Sequence, residues 1–271
     1  MLIEIFQLYY RYACYNTVMK LVIPELNNPV MTEAIRHFPD LEILTAKTLD
    51  DAAKLVKTGA ADTMISGLDF ASRDVLIAYK DHLPLKSDFF SSCFVCIKNK
   101  EHYILADGGV NKLPDAEKLY TIVEDSAKTY ELYFGDTPKI AMLSYSTKGS
   151  GGKKNPDLEK IASVIEKIRE NHPNWLIDGE MQLDAAVNET VGKKKIPNSP
   201  VAGRANVLIV PDLNSGNILY KSMEQFGGFT MAGPIIQGFK MPLADLSRGS
   251  SVEDTILTID VIKKLYERNT L

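Results

Sequence analysis

Ile140-Ala141-Met142-Leu143-Ser144-Tyr145-Ser146-Thr147-Lys148-Gly149-Ser150-Gly151-Gly152 is followed almost at once by Asn155-Pro156-Asp157-Leu158-Glu159. An apolar run of strand length passes into a Gly/Ser turn and then into a helix start. Asn155 suits an N-cap, Pro156 the first helical position, and Asp157 and Glu159 the positive end of the helix dipole. Leu158, Ile161, Ala162, Ile165 and Ile168 recur at helical spacing, which predicts one buried stripe over 155–171. Strand, loop and helix in this order make half of a β-α-β unit.

The same alternation runs outward in both directions. Strand-like runs fall at Leu21–Ile23, Ile43–Thr45, Thr63–Ser66, Cys93–Ile97, Tyr103–Ala106, Val207–Val210 and Met231–Ile236. Helical patterns fall at 31–38, 48–58, 72–82, 114–134, 181–190, 215–226 and 251–268. This predicts an α/β fold with a mainly parallel sheet flanked by helices. Phe134-Gly135-Asp136-Thr137-Pro138 punctuates the chain after a long helix, and Gln237–Pro242 offers a second break. The expected organisation is two-lobed. Residues 19–136 plus 238–271 form a first lobe, 137–237 form a second, and a cleft lies between them. Residues 1–18 read as an N-terminal extension, because Met19-Lys20-Leu21-Val22-Ile23-Pro24 looks like an opening strand.

Bulk properties narrow the function. With 271 residues the chain can bury a substantial core. A net charge of −4 argues against nucleic acid as a partner, since phosphate backbones need a basic face. No apolar run approaches the roughly 20 residues that span a bilayer. Three cysteines are odd and few for a disulfide framework, which points to a reducing cytoplasm. Cys93 and Cys96 lack a second pair to complete a zinc site and read as strand packing. None of the four histidines adjoins a convincing nucleophile, which disfavours a Ser-His-Asp hydrolase. No G-x-G-x-x-G follows a strand, so a standard dinucleotide fold is unsupported.

Four segments carry chemistry. Ser144, Ser146, Thr147, Lys148, Gly149 and Ser150 follow a strand, where ligands of open α/β sheets gather. They suit a phosphate cradle in which main-chain N–H groups do much of the binding, or else a flexible linker. Asp178, Glu180 and Asp184 either bind a divalent metal or polarise a helix start. In Pro211-Asp212-Leu213-Asn214-Ser215-Gly216-Asn217, Asn214 or Ser215 suits a helix cap, whereas Asn217 has less structural excuse and suits a cleft. Lastly, Asp245-Leu246-Ser247-Arg248-Gly249-Ser250-Ser251-Val252-Glu253-Asp254 places a hydroxyl, a guanidinium and a carboxylate at a loop-to-helix junction. Helix N-termini seat anions, and Arg248 adds a bidentate clamp. Ser251-x-x-Asp254 is also a capping-box pattern, so Asp254 reads equally as cap and as base.

These segments, with Gly233-Pro234-Ile235 and Gln237-Gly238, resemble the phosphate acetyl/butyryltransferase family, and Ser247-Arg248-Gly249-Ser250-Ser251 resembles its acetyl branch. The resemblance implies a two-lobed fold related to isocitrate and isopropylmalate dehydrogenases, usually dimeric. It implies acetyl transfer between CoA and inorganic phosphate, with CoA as co-substrate and neither a metal nor a permanently bound cofactor. On this chain Asp254 matches the base for the CoA thiol, Ser247 the oxyanion stabiliser and Arg248 the phosphate holder. The first lobe departs from the family. Phe70 stands where a histidine is usual, and Ile77 and Phe89 where arginines are usual. The alternative is therefore a catalytically weakened regulatory homologue that binds acyl-CoA or phosphate. A weaker third reading is acyl-phosphate hydrolysis.

Overall fold

The computed structural model describes residues 18–152 and 155–269, so the extension expected over 1–18 lies outside the described residues apart from Val18. In chain order the elements are β1 (Lys20–Val22), α1 (Pro29–Ala34), β2 (Glu42–Leu44), α2 (Leu49–Lys57), β3 (Thr63–Ser66), α3 (Ser72–His82), β4 (Ser91–Lys98), β5 (Glu101–Ala106), α4 (Ala116–Phe134) and β6 (Lys139–Leu143). There follow α5 (Pro156–Asn171), β7 (Leu176–Met181), α6 (Leu183–Val187), α7 (Glu189–Lys195), β8 (Val207–Ile209), α8 (Leu213–Gln225), β9 (Thr230–Gln237), β10 (Leu243–Asp245) and α9 (Val252–Asn269).

The chain divides into two compact units. One runs to Pro84 and resumes at Met241; the other is Leu85–Lys240. In the first unit the strand order is β2-β1-β3-β10, all parallel. Every residue of β3 is buried, as expected of a central parallel strand covered on both faces. In the second unit the order is β9-β4-β5-β8-β6-β7. Here β4 runs antiparallel to β9 and β5, and the remaining pairs are parallel.

The sequence punctuation at 134–138 is a turn inside the second unit. Gly135, left-handed at φ 75°, ends α4 by giving its N–H to Glu131 O, and β6 follows directly. The buried stripe of α4 (Leu119, Ile122, Val123, Ala127 and Tyr130) explains the placement. This helix packs on β4, β5 and β8 and so ties residues on both sides of Gly135 into one core.

The helix over 155–171 begins as read, with Asn155 accepting from Asp157 N at 2.9 Å. Its buried face is Ile161, Val164, Ile165 and Ile168, while Ala162 points outward. Burying each of these four contributes about 1.5–3 kcal/mol. The single helix expected over 181–190 is instead α6 and α7. Asn188 takes an extended conformation and caps α7 by accepting from Val191 N at 3.1 Å. Two strands, β7 and β10, were not anticipated. β7 carries Asp178-Gly179-Glu180 in its interior, and β10 is only three residues long.

Candidate active site

In the first unit the carboxyl ends of β1, β3 and β10 carry three turns held by side-chain chemistry. Glu25, buried just after β1, accepts at Oε2 from Ser66 Oγ (3.0 Å) and Gly67 N (3.0 Å). Its Oε1 accepts from Gly67 N (3.1 Å), Asp69 N (2.8 Å) and Phe70 N (3.1 Å). One carboxylate thus organises the whole turn after β3. A pocket of about 320 Å³ opens beside it, between Pro24–Pro29 and Asp69-Phe70. Gly67 has φ 117°, and a Cβ there would collide with Leu246 O and come 2.5 Å from Asp245 Oδ1. Only glycine lets the β3 and β10 turns approach so closely. Leu246 N donates to Ser66 O at 2.6 Å across that contact.

Beyond β10, Ser250 N donates to Ser247 O (2.9 Å) and closes a tight turn. Ser247 Oγ accepts from Gly249 N at 3.3 Å. Arg248 is exposed and makes no ion pair or side-chain hydrogen bond among the described residues. The capping box at the start of α9 is formed in both directions. Asp254 N donates to Ser251 Oγ (3.1 Å), and Asp254 Oδ2 accepts from Ser251 N (2.9 Å) and Ser251 Oγ (2.7 Å). Asp254 is therefore a cap, buried and fixed in orientation. The first-turn N–H groups of Val252 and Glu253 have no intrahelical acceptor. With Arg248 and the Ser247 hydroxyl they form a cationic, donor-rich patch suited to an oxyanion.

In the second unit the Ser144–Gly152 loop is folded shut on its own donors. Ser146 N reaches Ser144 Oγ (3.2 Å), Thr147 N reaches Ser150 Oγ (2.9 Å), and Gly149 N reaches Glu180 Oε1 (2.7 Å). Gly151 N reaches Ser146 Oγ (2.8 Å), while Lys148, Ser150 and Gly152 donate to main-chain carbonyls. Every N–H from Ser146 to Gly152 has an acceptor within the protein, so the expected main-chain phosphate cradle is absent. The Glu180 carboxylate occupies that role. Lys148 Nζ is likewise committed, to Asp178 Oδ1 (2.6 Å) and Gly179 O (2.7 Å). Burial would raise the Asp178 carboxyl, but bonds from Lys148, Ser199 and the Gly179 N–H together hold it below its usual value. Asp178 and Glu180 lie on a strand and serve this loop, and Asp184 alone polarises a helix start, pairing with Lys195 at 2.8 Å.

Asp212, rather than Asn214 or Ser215, caps α8 by accepting from Ser215 N at 2.8 Å. Gly216 faces the Asp107 carbonyl, with no room for a Cβ. Asn217 is half-buried one position on, with no side-chain hydrogen bond among the described residues. Asp107, buried after β5, accepts from Ser92 Oγ, from the N–H groups of Gly109, Val110 and Asn111, and from Asn111 Nδ2 (2.6 Å). Sequence reasoning overlooked Asp107, Glu25 and the special position of Asp245. For Asp107 the signal was present, since Asp-Gly-Gly after an apolar strand is turn chemistry. Cys93 and Cys96 are free and buried in β4, where burial pushes both thiols up. Ile77 is exposed on α3, and Phe70 and Phe89 are half-buried.

The fold is α/β, with a serine, an arginine and a helix N-terminus following one another after β10. The family model described as "Phosphate acetyl/butaryl transferase" matches residues 31–262, and the chain belongs to that family. It is 38% identical over 215 residues to the phosphate acetyltransferase of Treponema pallidum, covering 76% of this chain and 64% of that protein. It is 39% identical over 202 residues to the Bacillus subtilis phosphate acetyltransferase, covering 74% and 62%. These matches thus span just under two thirds of both relatives. A phosphotransacetylase structure from Streptococcus pyogenes superposes with a TM-score of 0.78 at 31% identity, covering 92% of this chain and 94% of that one.

Proposed function

We propose that the protein transfers an acetyl group between CoA and inorganic phosphate: acetyl-CoA + phosphate gives acetyl phosphate + CoA, reversibly. The observation that carries this reading is the junction before α9. There a guanidinium unpartnered among the described residues, a hydroxyl and a helix N-terminus stand within seven residues of a buried, oriented carboxylate. Family membership supports the substrate class.

In the direction that consumes acetyl phosphate, Asp254 takes the proton from the CoA thiol. Free thiols titrate near pH 8.5 and are mostly protonated at neutrality, so this step creates the nucleophile. The thiolate attacks the acetyl carbonyl, a C–S bond forms, and the carbonyl electron pair moves onto oxygen. Ser247 Oγ–H donates to that oxyanion. Collapse breaks the bond to the phosphate oxygen, and phosphate leaves on Arg248 and takes up the proton held by Asp254. Holding both reactants together supplies much of the rate. Ser144, Ser146, Thr147, Lys148, Gly149, Ser150 and Asn217 are assigned to substrate binding. CoA serves as co-substrate with no resident cofactor. The working form in this reading is a cytoplasmic homodimer.

Mixing the protein with acetyl phosphate and CoA and following thiol loss tests the assignment. Wild type is expected to consume thiol, and Asp254→Asn to be slower by at least about a hundredfold. Folded wild type that forms no acyl-CoA from acetyl phosphate or longer acyl phosphates would sink it.

A further inference from the structure

Glu25 and Asp245, two buried carboxylates of the first unit, are unequally served. Glu25 takes donors from four residues, as a negative charge requires. Asp245 is 1% exposed, and its Oδ1 has no hydrogen-bond partner among the described residues. That oxygen lies against Gly67, the residue whose amide Glu25 holds. No lysine or arginine pairs with either carboxylate among the described residues. Two charges confined here would repel each other in a dry setting with nothing to balance the second.

We propose that Glu25 and Asp245 together carry a single negative charge, and that Asp245, as the protonated member, is a positioning residue for the Ser247-Arg248 turn. Its proton keeps a second negative charge from lying beneath the oxyanion patch. The neighbours of Asp245 agree with this assignment. Burial pushes its carboxyl up to about 7, a Ser72 hydroxyl bond works against the rise, and the Glu25 charge adds to it. From α3, Tyr79 is a buried phenol raised well above its usual value that donates to Ala244 O at 2.7 Å, so it stays neutral. From β3, the Ser66 hydroxyl is spent on Glu25. From α9, Asp254 has its Oδ2 tied into its cap. The cation closest along the chain is Arg248, three residues on and exposed.

The consequence is a pH-dependent anion affinity. As pH rises through neutrality Asp245 ionises, and the new charge opposes any oxyanion held at Ser247 and Arg248. That the anion is a phosphate rests on the transferase reading; that Asp245 holds a proton does not. Sulfate is the appropriate probe, because it does not change ionisation between pH 6 and 8.5 whereas phosphate does.

Calorimetric titration of sulfate into the full chain should show affinity falling about five- to tenfold from pH 6 to 8.5 in wild type, and staying flat in Asp245→Asn. Infrared spectroscopy should show a protonated carboxyl band that disappears with a midpoint near 7 in wild type and is missing from the variant. Equal pH slopes in the two proteins, no sulfate binding at pH 6, or no protonated carboxyl at pH 6 would each overturn the proposal. A correct infrared and sulfate result with no acyl transfer would reject the transferase reading alone.

Discussion

Replacing Glu25 by alanine tests whether one carboxylate organises the turn after β3. The substitution strips the acceptor from Ser66 Oγ and Gly67 N, both buried, and from Asp69 N and Phe70 N, which are nearer solvent. Each buried donor left unsatisfied costs about 1–3 kcal/mol, and the outer two, which water can reach, about 0.5 kcal/mol each. Removing a buried charge next to Asp245 returns part of that, so the net loss works out at about 3 kcal/mol. Glu25→Gln keeps an Oε1 that can still accept from Gly67, Asp69 and Phe70, and lets the Ser66 hydroxyl reverse its role. Its cost is about 1 kcal/mol. Native-state hydrogen exchange on peptides spanning β3 and residues 67–70, at pH 6, reads this locally. Protection should drop about a hundredfold for alanine and less than tenfold for glutamine, at about 1.4 kcal/mol per factor of ten. If alanine costs under tenfold, or if the two variants are equal, the turn is held by something other than Glu25.

Stability should also depend on Asp245. Its folded carboxyl is raised from 3.8 to about 7, so the folded state holds a proton that the unfolded chain has released. The stabilisation it gives is complete below 3.8 and is lost as pH climbs through about 7. Urea midpoints of wild type should therefore fall relative to Asp245→Asn between pH 4 and 7.5, by up to about 1.4 kcal/mol per pH unit; parallel curves would refute it. Ser251→Ala removes the N-cap of α9 and should cost about 0.5–2 kcal/mol in thermal unfolding, most of it recovered by threonine. An unchanged melting temperature would deny the capping box its weight. Arg248→Ala should leave the melting temperature alone while raising KM for phosphate at least about tenfold. Arg248→Lys should restore only part of that, since a single ammonium cannot make the two-pronged contact; full rescue by lysine would exclude bidentate binding.

What could be read from the chain was local. The start of α5 is written in five consecutive residues, and the α/β alternation in runs whose meaning does not depend on distant partners. The Ser247–Asp254 segment was legible for the same reason, as a turn followed by a capping pattern. Other features depend on residues far apart. Gly67 looks like an ordinary loop glycine until β10 brings Asp245 and Leu246 against it, 178 positions later. The Ser144–Gly152 loop has the composition of a phosphate cradle, but Glu180 and Asp178, on a strand hidden by its own polar residues, supply the anions that close it. Asp254 offered both roles in the sequence; the structure realises the cap, and the catalytic role rests on chemistry.

β10 pairs with β3 through Leu243 and Met64, yet the ribosome makes these strands more than 170 residues apart. During synthesis Leu85–Lys240 emerges as an unbroken segment and can close its own core while β3 still waits for its neighbour. The earlier half of the first unit must therefore stay unpaired along one edge of β3 until β10 leaves the tunnel. Ser247, Arg248 and Asp254 arrive directly behind it. The protein thus acquires the donor-rich patch before α9 in the step that pairs this edge of β3, and a chain truncated before β10 would expose a buried parallel strand for quality control to recognise.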